Sequence, residues 1–405
     1  MTYYNEFMIN KKYTLVLASL VVVFTFAQIA VAKESFQQKD FFNFKRVIAH
    51  NSQEASGALS KGCKLVTDAK TLKAFHCPQN VAESLNLQED IKVFALAEDD
   101  EFVGLRGRLG VQSASANQQI SANTVHVAGN TGVGRKVVVL DTGYNYAHPE
   151  LISSYLGGED FVNNDDDPMD DQGHGSHVAG IITADGIEAN AKGVAPDTGV
   201  IAGKVLDENG SGYFSDVVAA IYWAIDGPDG TYGTVDDFGA DAISISLGTG
   251  SPYLYRGYCD NIMPDLTNAI KYAVQKNVPV VVASGNSGIR GVSIPGCISY
   301  STTVGAVSST DKIASFSGRG SAVDISAPGV GIYSSLLGNS YASWSGTSMA
   351  TPMITGVIAL IKSAHSTYTQ SQIENKLFTT AKDLGRSGKD KDYGWGRVRA
   401  DLAVQ

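Results

Sequence analysis

The chain has 405 residues, an apolar fraction of 43% and a formal net charge of −10. That is more than one typical domain, with enough apolar material for a sizeable core. The acidic balance excludes the usual nucleic-acid binder, which needs a positive surface to displace phosphate counterions.

At the N-terminus, Lys11 and Lys12 precede the apolar stretch "YTLVLASLVVVFTFAQIAVA", and charge returns in "KES". Ala30 and Ala32 are the small residues that signal peptidase accepts, which predicts a signal peptide over residues 1–32 and a secreted or periplasmic protein. The stretch is also long enough to serve as an uncleaved anchor. No apolar run of that length follows, so no membrane contact is expected after cleavage. Export suits the cysteines: Cys63 and Cys77 fall before a boundary near residue 100, Cys259 and Cys297 after it, and none has zinc-ligand spacing. Pairwise disulfides within each half, or four buried thiols, are the two readings.

Residues 33–105 are rich in Lys, Gln and Glu; "PQNVAESLNL" reads as a short helix and "IKVFALAED" as a strand, giving a small α+β unit. Beyond it, "KVVVL" (136–140), "GVIAGKVL" (199–206), "DAISISL" (241–247) and "VPVVVAS" (278–284) are Val- and Ile-rich runs without alternation. Such runs are strands buried on both faces, hence a parallel sheet. Helices separate them: "SDVVAAIYWAID" with Ser215 as the expected N-cap, and "PDLTNAIKYAVQK" opening on Pro264. The expected fold over residues 106–405 is therefore α/β, a doubly wound, mostly parallel sheet flanked by helices. The Gly-rich acidic stretch 226–239 reads as a surface loop.

In such a fold the active groups collect beyond the carboxyl ends of the strands. Asp141 ends the run "KVVVL" plus one, a place for a catalytic carboxylate or for a buried structural one. His174 sits in "GHGSHVAGI" between Gly173 and Gly175, at the start of a helix. Ser348, in "SGTSMATP", opens another helix, where the dipole and free backbone N–H groups favour a developing oxyanion. Asn286, in "ASGNSG", follows a buried strand and offers a side-chain amide to the same crevice.

In chain order, "VVVLDTG", "GHGSHVAGI", "SISLG", "ASGNSG" and "SGTSMATP" resemble the subtilisin family of serine endopeptidases over about residues 120–405. The Asp, His, Ser order is that family's known pattern. The resemblance implies that Asp141 orients His174, that His174 takes the proton of Ser348, and that Asn286 with the Ser348 N–H forms the oxyanion hole. It also implies an extended substrate paired against Ser246, Leu247 and Gly248 on one side and against Gly210 to Tyr213, with Gly210 and Gly212, on the other. Ala283, Ser284 and Gly285 would wall the pocket for the residue before the cut, whose small lining predicts bulky apolar side chains. Protein or peptide substrates and a monomer are expected. Residues 33–105 would be a propeptide that assists folding and inhibits the cleft, "IKVFALAEDD" being its last strand and tail. The mature start is then expected between Asp100 and Gln119, a cut that the pairs Cys63 with Cys77 and Cys259 with Cys297 survive independently.

The chain departs from the family at Met353 and Ile354, in place of His and Val, neither of them catalytic positions. At the family's tight calcium loop, Ile187 stands near the expected Asn and Glu150 replaces the usual Asp, so the resemblance does not carry that ion over. A second loop, "EDFVNNDDDPMDD", resembles a calcium loop of heat-stable relatives, and Asp160, Asp165 and Asp167 are the expected ligands of a structural calcium. No cofactor is expected for catalysis.

Two other classes share parts of this pattern. A zinc hydrolase would use His174 and His177, but HxxH here lacks the glutamate of HExxH and carries a glycine beside its first histidine. A silent binding protein on the same fold would not need all four catalytic residue types. His177, one turn beyond His174, is expected to support the helix from within the core.

Overall fold

The computed structural model describes residues 44–99 and 113–405. The expected signal peptide and residues 100–112 lie outside the described residues. Two compact units form, one from residues 44–66 and 73–89, the other from Thr67–Leu72 and Asp90–Gln405.

The first unit carries β1 (Phe44–Ala49), α1 (Ser52–Ser60), β2 (Lys64–Asp68), β3 (Lys73–Pro78), α2 (Gln79–Leu85) and β4 (Gln88–Glu89), with sheet order β2-β3-β1-β4. Asn51 caps α1 by accepting the Glu54 N–H at 2.9 Å. Val47, Phe75 and the Cys63–Cys77 disulfide sit in its small core.

The second unit begins with β5 (Lys92–Ala95), β6 (Glu98–Asp99), α3 (Ser113–Gln119) and α4 (Ala122–Val127). Then come β7 (Lys136–Asp141), β8 (Tyr155–Asp160), α5 (His174–Thr183), β9 (Gly199–Lys204), β10 (Ser211–Tyr213) and α6 (Phe214–Asp226). β11 (Ala242–Ile245), β12 (Leu247–Gly248), β13 (Leu254–Tyr255), α7 (Pro264–Gln275), β14 (Val280–Ala283) and β15 (Val292–Ser293) follow. The chain closes through β16 (Thr302–Val307), β17 (Ile325–Pro328), β18 (Ile332–Ser335), β19 (Tyr341–Ser345), α8 (Thr347–Ala364), α9 (Gln370–Thr379) and α10 (Ala400–Ala403).

The main sheet has order β17-β16-β14-β11-β7-β9-β8, and every neighbouring pair is parallel. The Val- and Ile-rich runs supply its centre: β11 and β14 are buried throughout. α8 is buried from Thr347 to Ile361, and the substituted Met353 and Ile354 both lie fully in the core. β8, with the sequence YLGGED, was not legible as a strand because its glycines interrupt any apolar run. A second disulfide joins Cys259 to Cys297, so the pairing is within each half.

Two expectations are corrected. Ser215 is not the N-cap of α6; the helix starts at Phe214, after Tyr213. Asp90, distant in sequence, caps the first turn instead, accepting the Ser215 N–H at 3.2 Å and its hydroxyl at 2.6 Å. The strand in "IKVFALAED" does not join the N-terminal sheet. It is β5, lying antiparallel between β10 and β12 in the second unit.

Candidate active site

Asp141 is the last residue of β7, and His174 is the first of α5. Their approach depends on backbone contact: a Cβ on Gly175 would lie 2.1 Å from the Gly143 carbonyl oxygen, so only glycine fits there. Asp170 fastens the same turn. Its carboxylate accepts the N–H groups of Gln172, Gly173 and Ser176 and the hydroxyls of Thr142 and Ser176, acting as the cap that Gly173 cannot provide. Lys204, at the end of the neighbouring β9, is 1% exposed and gives its ammonium protons to the Thr142 and Leu206 carbonyls and to Asp171. Nothing in the sequence pattern singled out Asp170 or Lys204, since both act by holding the turn that follows Asp141.

His174 Nδ1 stands 2.6 Å from Asp141 Oδ1, with both side chains buried. A carboxylate at Nδ1 holds the proton there, which leaves the Nε2 lone pair as the basic atom. Among the described residues, His174 Nε2 has no hydrogen-bond partner. Ser348, on the first turn of α8, donates its hydroxyl to the Ser246 carbonyl at 2.8 Å, and Ser246 returns a bond to the Ser348 carbonyl at 3.1 Å. The structure thus joins Asp141 to His174 and Ser348 to Ser246, without a hydrogen bond between Ser348 and His174.

His177 lies in a different setting. Its Nε2 donates to the Ala342 carbonyl at 3.0 Å, burial pushes its pKa down to about 3, and its ring stacks on Trp344 at 4.7 Å. The two histidines therefore face an Asp and a backbone carbonyl. Among the described residues, no three acidic, histidine or cysteine side chains are grouped to hold a metal ion. At the loop expected to hold calcium, the three carboxylates accept hydrogen bonds. Asp160 accepts the N–H groups of Val162 and Asn163 and the Asn163 side-chain amide, while Asp165 accepts the Asp167 N–H and Asp167 takes the Tyr146 hydroxyl.

Asn286 is oriented by a residue the motif reading passed over. Its Oδ1 accepts the Thr347 N–H at 3.0 Å and the Thr347 hydroxyl at 2.9 Å, which turns Nδ2 the other way. That Nδ2 donates to the Leu96 carbonyl at 2.9 Å. Leu96 follows β5 directly. On one side of β5, Phe94 and Val93 pair with Ser211 and Gly212, and the Ala95 N–H reaches the Gly210 carbonyl at 2.9 Å. On the other, Ala95 and Phe94 pair with Leu247 and Gly248. Past Leu96, Glu98 and Asp99 of β6 pair with Ser345 and Trp344. The peptide bond between Leu96 and Ala97 is thus flanked by strand pairing on both sides. A Cβ on Gly346 would fall 2.3 Å from the Leu96 carbonyl oxygen, and one on Gly248 would fall 3.1 Å from Leu96 Cδ1. Ala283, Ser284 and Gly285 continue from β14 into Asn286, with the Gly285 N–H bonded to the Thr347 hydroxyl.

A parallel α/β sheet with these groups beyond its strand ends has the architecture of a serine endopeptidase. The profile of the subtilase family matches residues 132–396, and the chain belongs to that family. It is 34% identical to subtilisin E of Bacillus subtilis (strain 168) over 98% of this chain and 99% of that one. It is 40% identical to the thermophilic serine proteinase of Bacillus sp. (strain AK1) over 67% of this chain and 62% of that protein. With subtilisin Savinase of Lederbergia lenta the identity is 38%, over 71% of this chain and 97% of the relative. The chain is accordingly a serine endopeptidase, a class whose substrates are proteins or peptides and whose chemistry needs no cofactor.

Proposed function

We propose that this enzyme cuts peptide bonds through an Asp141, His174 and Ser348 triad and that it is made as a precursor which first cuts itself between Leu96 and Ala97. The observation that carries the proposal is the bond from Asn286 Nδ2 to the Leu96 carbonyl, within a segment paired on both sides of one peptide bond. An amide N–H at a carbonyl oxygen is placed to stabilise the negative charge that oxygen gains on attack.

In the reaction, the Ser348 side chain turns from Ser246 toward His174, and its Oγ attacks the Leu96 carbonyl carbon while Nε2 takes the proton. Asp141 keeps the imidazolium oriented and paired. Asn286 and the Ser348 N–H hold the oxyanion. Collapse breaks the Leu96–Ala97 bond, His174 gives its proton to the Ala97 amine, and water then releases the acyl group by the same route. Other substrates would take the place of β5, pairing with Gly210 to Gly212 and with Leu247 and Gly248. A leucine beside Gly248 supports a preference for bulky apolar residues before the cut.

In this reading the mature chain starts at Ala97, ahead of the expected 100–119 range, and the segment up to Leu96 stays as an inhibitor until it is lost. Export by the N-terminal signal and a monomeric enzyme complete the proposal. Among the described residues, no helix is long and apolar enough to cross a membrane.

The test is labelling with a serine-directed fluorophosphonate, comparing wild type with Ser348→Ala. Labelling at Ser348 and an uncut precursor in the variant are expected. A labelled variant, or inhibition by a zinc chelator without labelling, would overturn the triad.

A further inference from the structure

Glu150 lies in the turn after β7 and is completely buried. Its carboxylate meets four donors. Oε2 accepts the N–H groups of Gly186 at 2.7 Å and Ile187 at 3.1 Å; Oε1 accepts the Glu188 N–H at 2.6 Å and the Tyr341 hydroxyl at 3.1 Å. The Glu150 backbone carbonyl also receives the Asp185 N–H at 3.2 Å. Three successive amides of the loop after α5 therefore converge on one side chain. The loop rejoins the helix end where the Gly193 N–H bonds the Ala184 carbonyl at 2.9 Å.

The polarity of this nest decides what it can hold. A calcium ion needs six to eight oxygen lone pairs turned toward it. Backbone N–H groups present partial positive charge, and a run of them in a loop is a site for an anion. Here the anion is built in, and its lone pairs face hydrogens. A cation sharing the carboxylate would have to displace those donors and sit against them. The residues at the family's tight calcium loop thus do not fit the ion.

The fourth donor ties the loop to the cleft. Tyr341 is the first residue of β19, the strand whose Trp344 and Ser345 pair with Asp99 and Glu98. Its ring stands edge-on to His148 at 5.1 Å and stacks on Tyr333 at 5.6 Å. Burial, then the neighbouring Glu150 charge, pushes its pKa up to about 12, so it remains a donor to Glu150 well above neutral pH.

We propose that the Glu150 carboxylate closes the 184–193 loop in place of a metal ion and pins it to the head of β19. The loop is then insensitive to chelators and dependent on the carboxylate.

Hydrogen exchange of the full chain, read by mass spectrometry in the Ser348→Ala background to prevent self-digestion, tests this locally. With chelator or with excess calcium chloride, the peptide covering 184–193 is expected to exchange at the same rate. Glu150→Gln keeps the volume but turns one acceptor into a donor facing donors. It is expected to speed exchange of that peptide about tenfold or more, the loss of one or more charge-assisted bonds, with no rescue by calcium. Glu150→Asp, one methylene shorter, should loosen the same peptide while β7 and β14 peptides stay protected. Faster exchange of the wild-type loop on chelation, restored by calcium, would overturn the proposal. So would a Gln variant protected like wild type, or an Asp variant loosened equally across β7 and β14.

Discussion

Asn286 and Leu96 are joined by a 2.9 Å bond from the side-chain amide to the backbone carbonyl, although they stand 190 residues apart in the chain. The amide cannot be turned round without losing two bonds to Thr347. In the proposed self-cleavage, this relationship marks the Leu96–Ala97 bond among the described residues. N-terminal sequencing of the processed enzyme should begin at Ala97; a start beyond Asp99 would show that the segment shifts along the cleft before cutting.

Replacing Asn286 by Leu should lower kcat by about 100- to 1,000-fold with little change in KM, a size known for subtilisins themselves. Thr347→Val removes the hydroxyl that orients the amide and leaves the Thr347 N–H in place. About tenfold in kcat is expected from that smaller loss of alignment. Equal activity of the Val variant and wild type would show that the backbone bond alone suffices.

The two histidines should separate by readout. His174→Ala is expected to abolish turnover while the fold melts normally. His177→Gln should keep most of the turnover and lose stability, because it disturbs the Ala342 bond and the stack on Trp344. Comparable loss of kcat in two well-folded variants would contradict the division of roles.

His177 also sets a pH dependence. Its pKa falls from the ordinary 6.5 to about 3 on folding, so the unfolded chain binds the proton more readily. The stabilisation is therefore present above 6.5 and is lost as the pH falls through that value toward 3. By pH 5 this single group costs about 2 kcal/mol relative to neutral pH. Denaturant melts of wild type and His177→Gln at pH 7 and pH 5 measure it: the drop should be smaller in the variant by about that amount, and an identical drop would remove the assignment.

For the acidic stretch 160–167 a chelator tests the calcium expectation: the melting temperature stays unchanged if the hydrogen bonds to Asp160, Asp165 and Asp167 are what hold the loop. A fall of several degrees, reversed by calcium, would place an ion among those carboxylates.

The central strands, the helices that open on His174 and near Ser348, and the family are legible from the sequence, because each is written locally. Unbroken Val and Ile runs specify strands buried on both faces, and glycines beside His174 specify a close backbone approach. The edge strand β8 was hidden by its glycines, and the cap of α6 by its distance, since Asp90 reaches Ser215 from 125 residues away. Long-range choices between equally plausible partners are settled only when the chain folds. "IKVFALAED" reads as a strand in any sheet, and its place between β10 and β12 depends on which edges are open. Glu150, in a turn, is an acid whose role depends on distant groups; whether it meets a cation or N–H groups depends on where the backbone amides of residues 186–188 point. The two histidines three apart are already distinguished by the glycines around His174, but their partners come from folding, which sets Asp141 against one ring and a backbone carbonyl against the other.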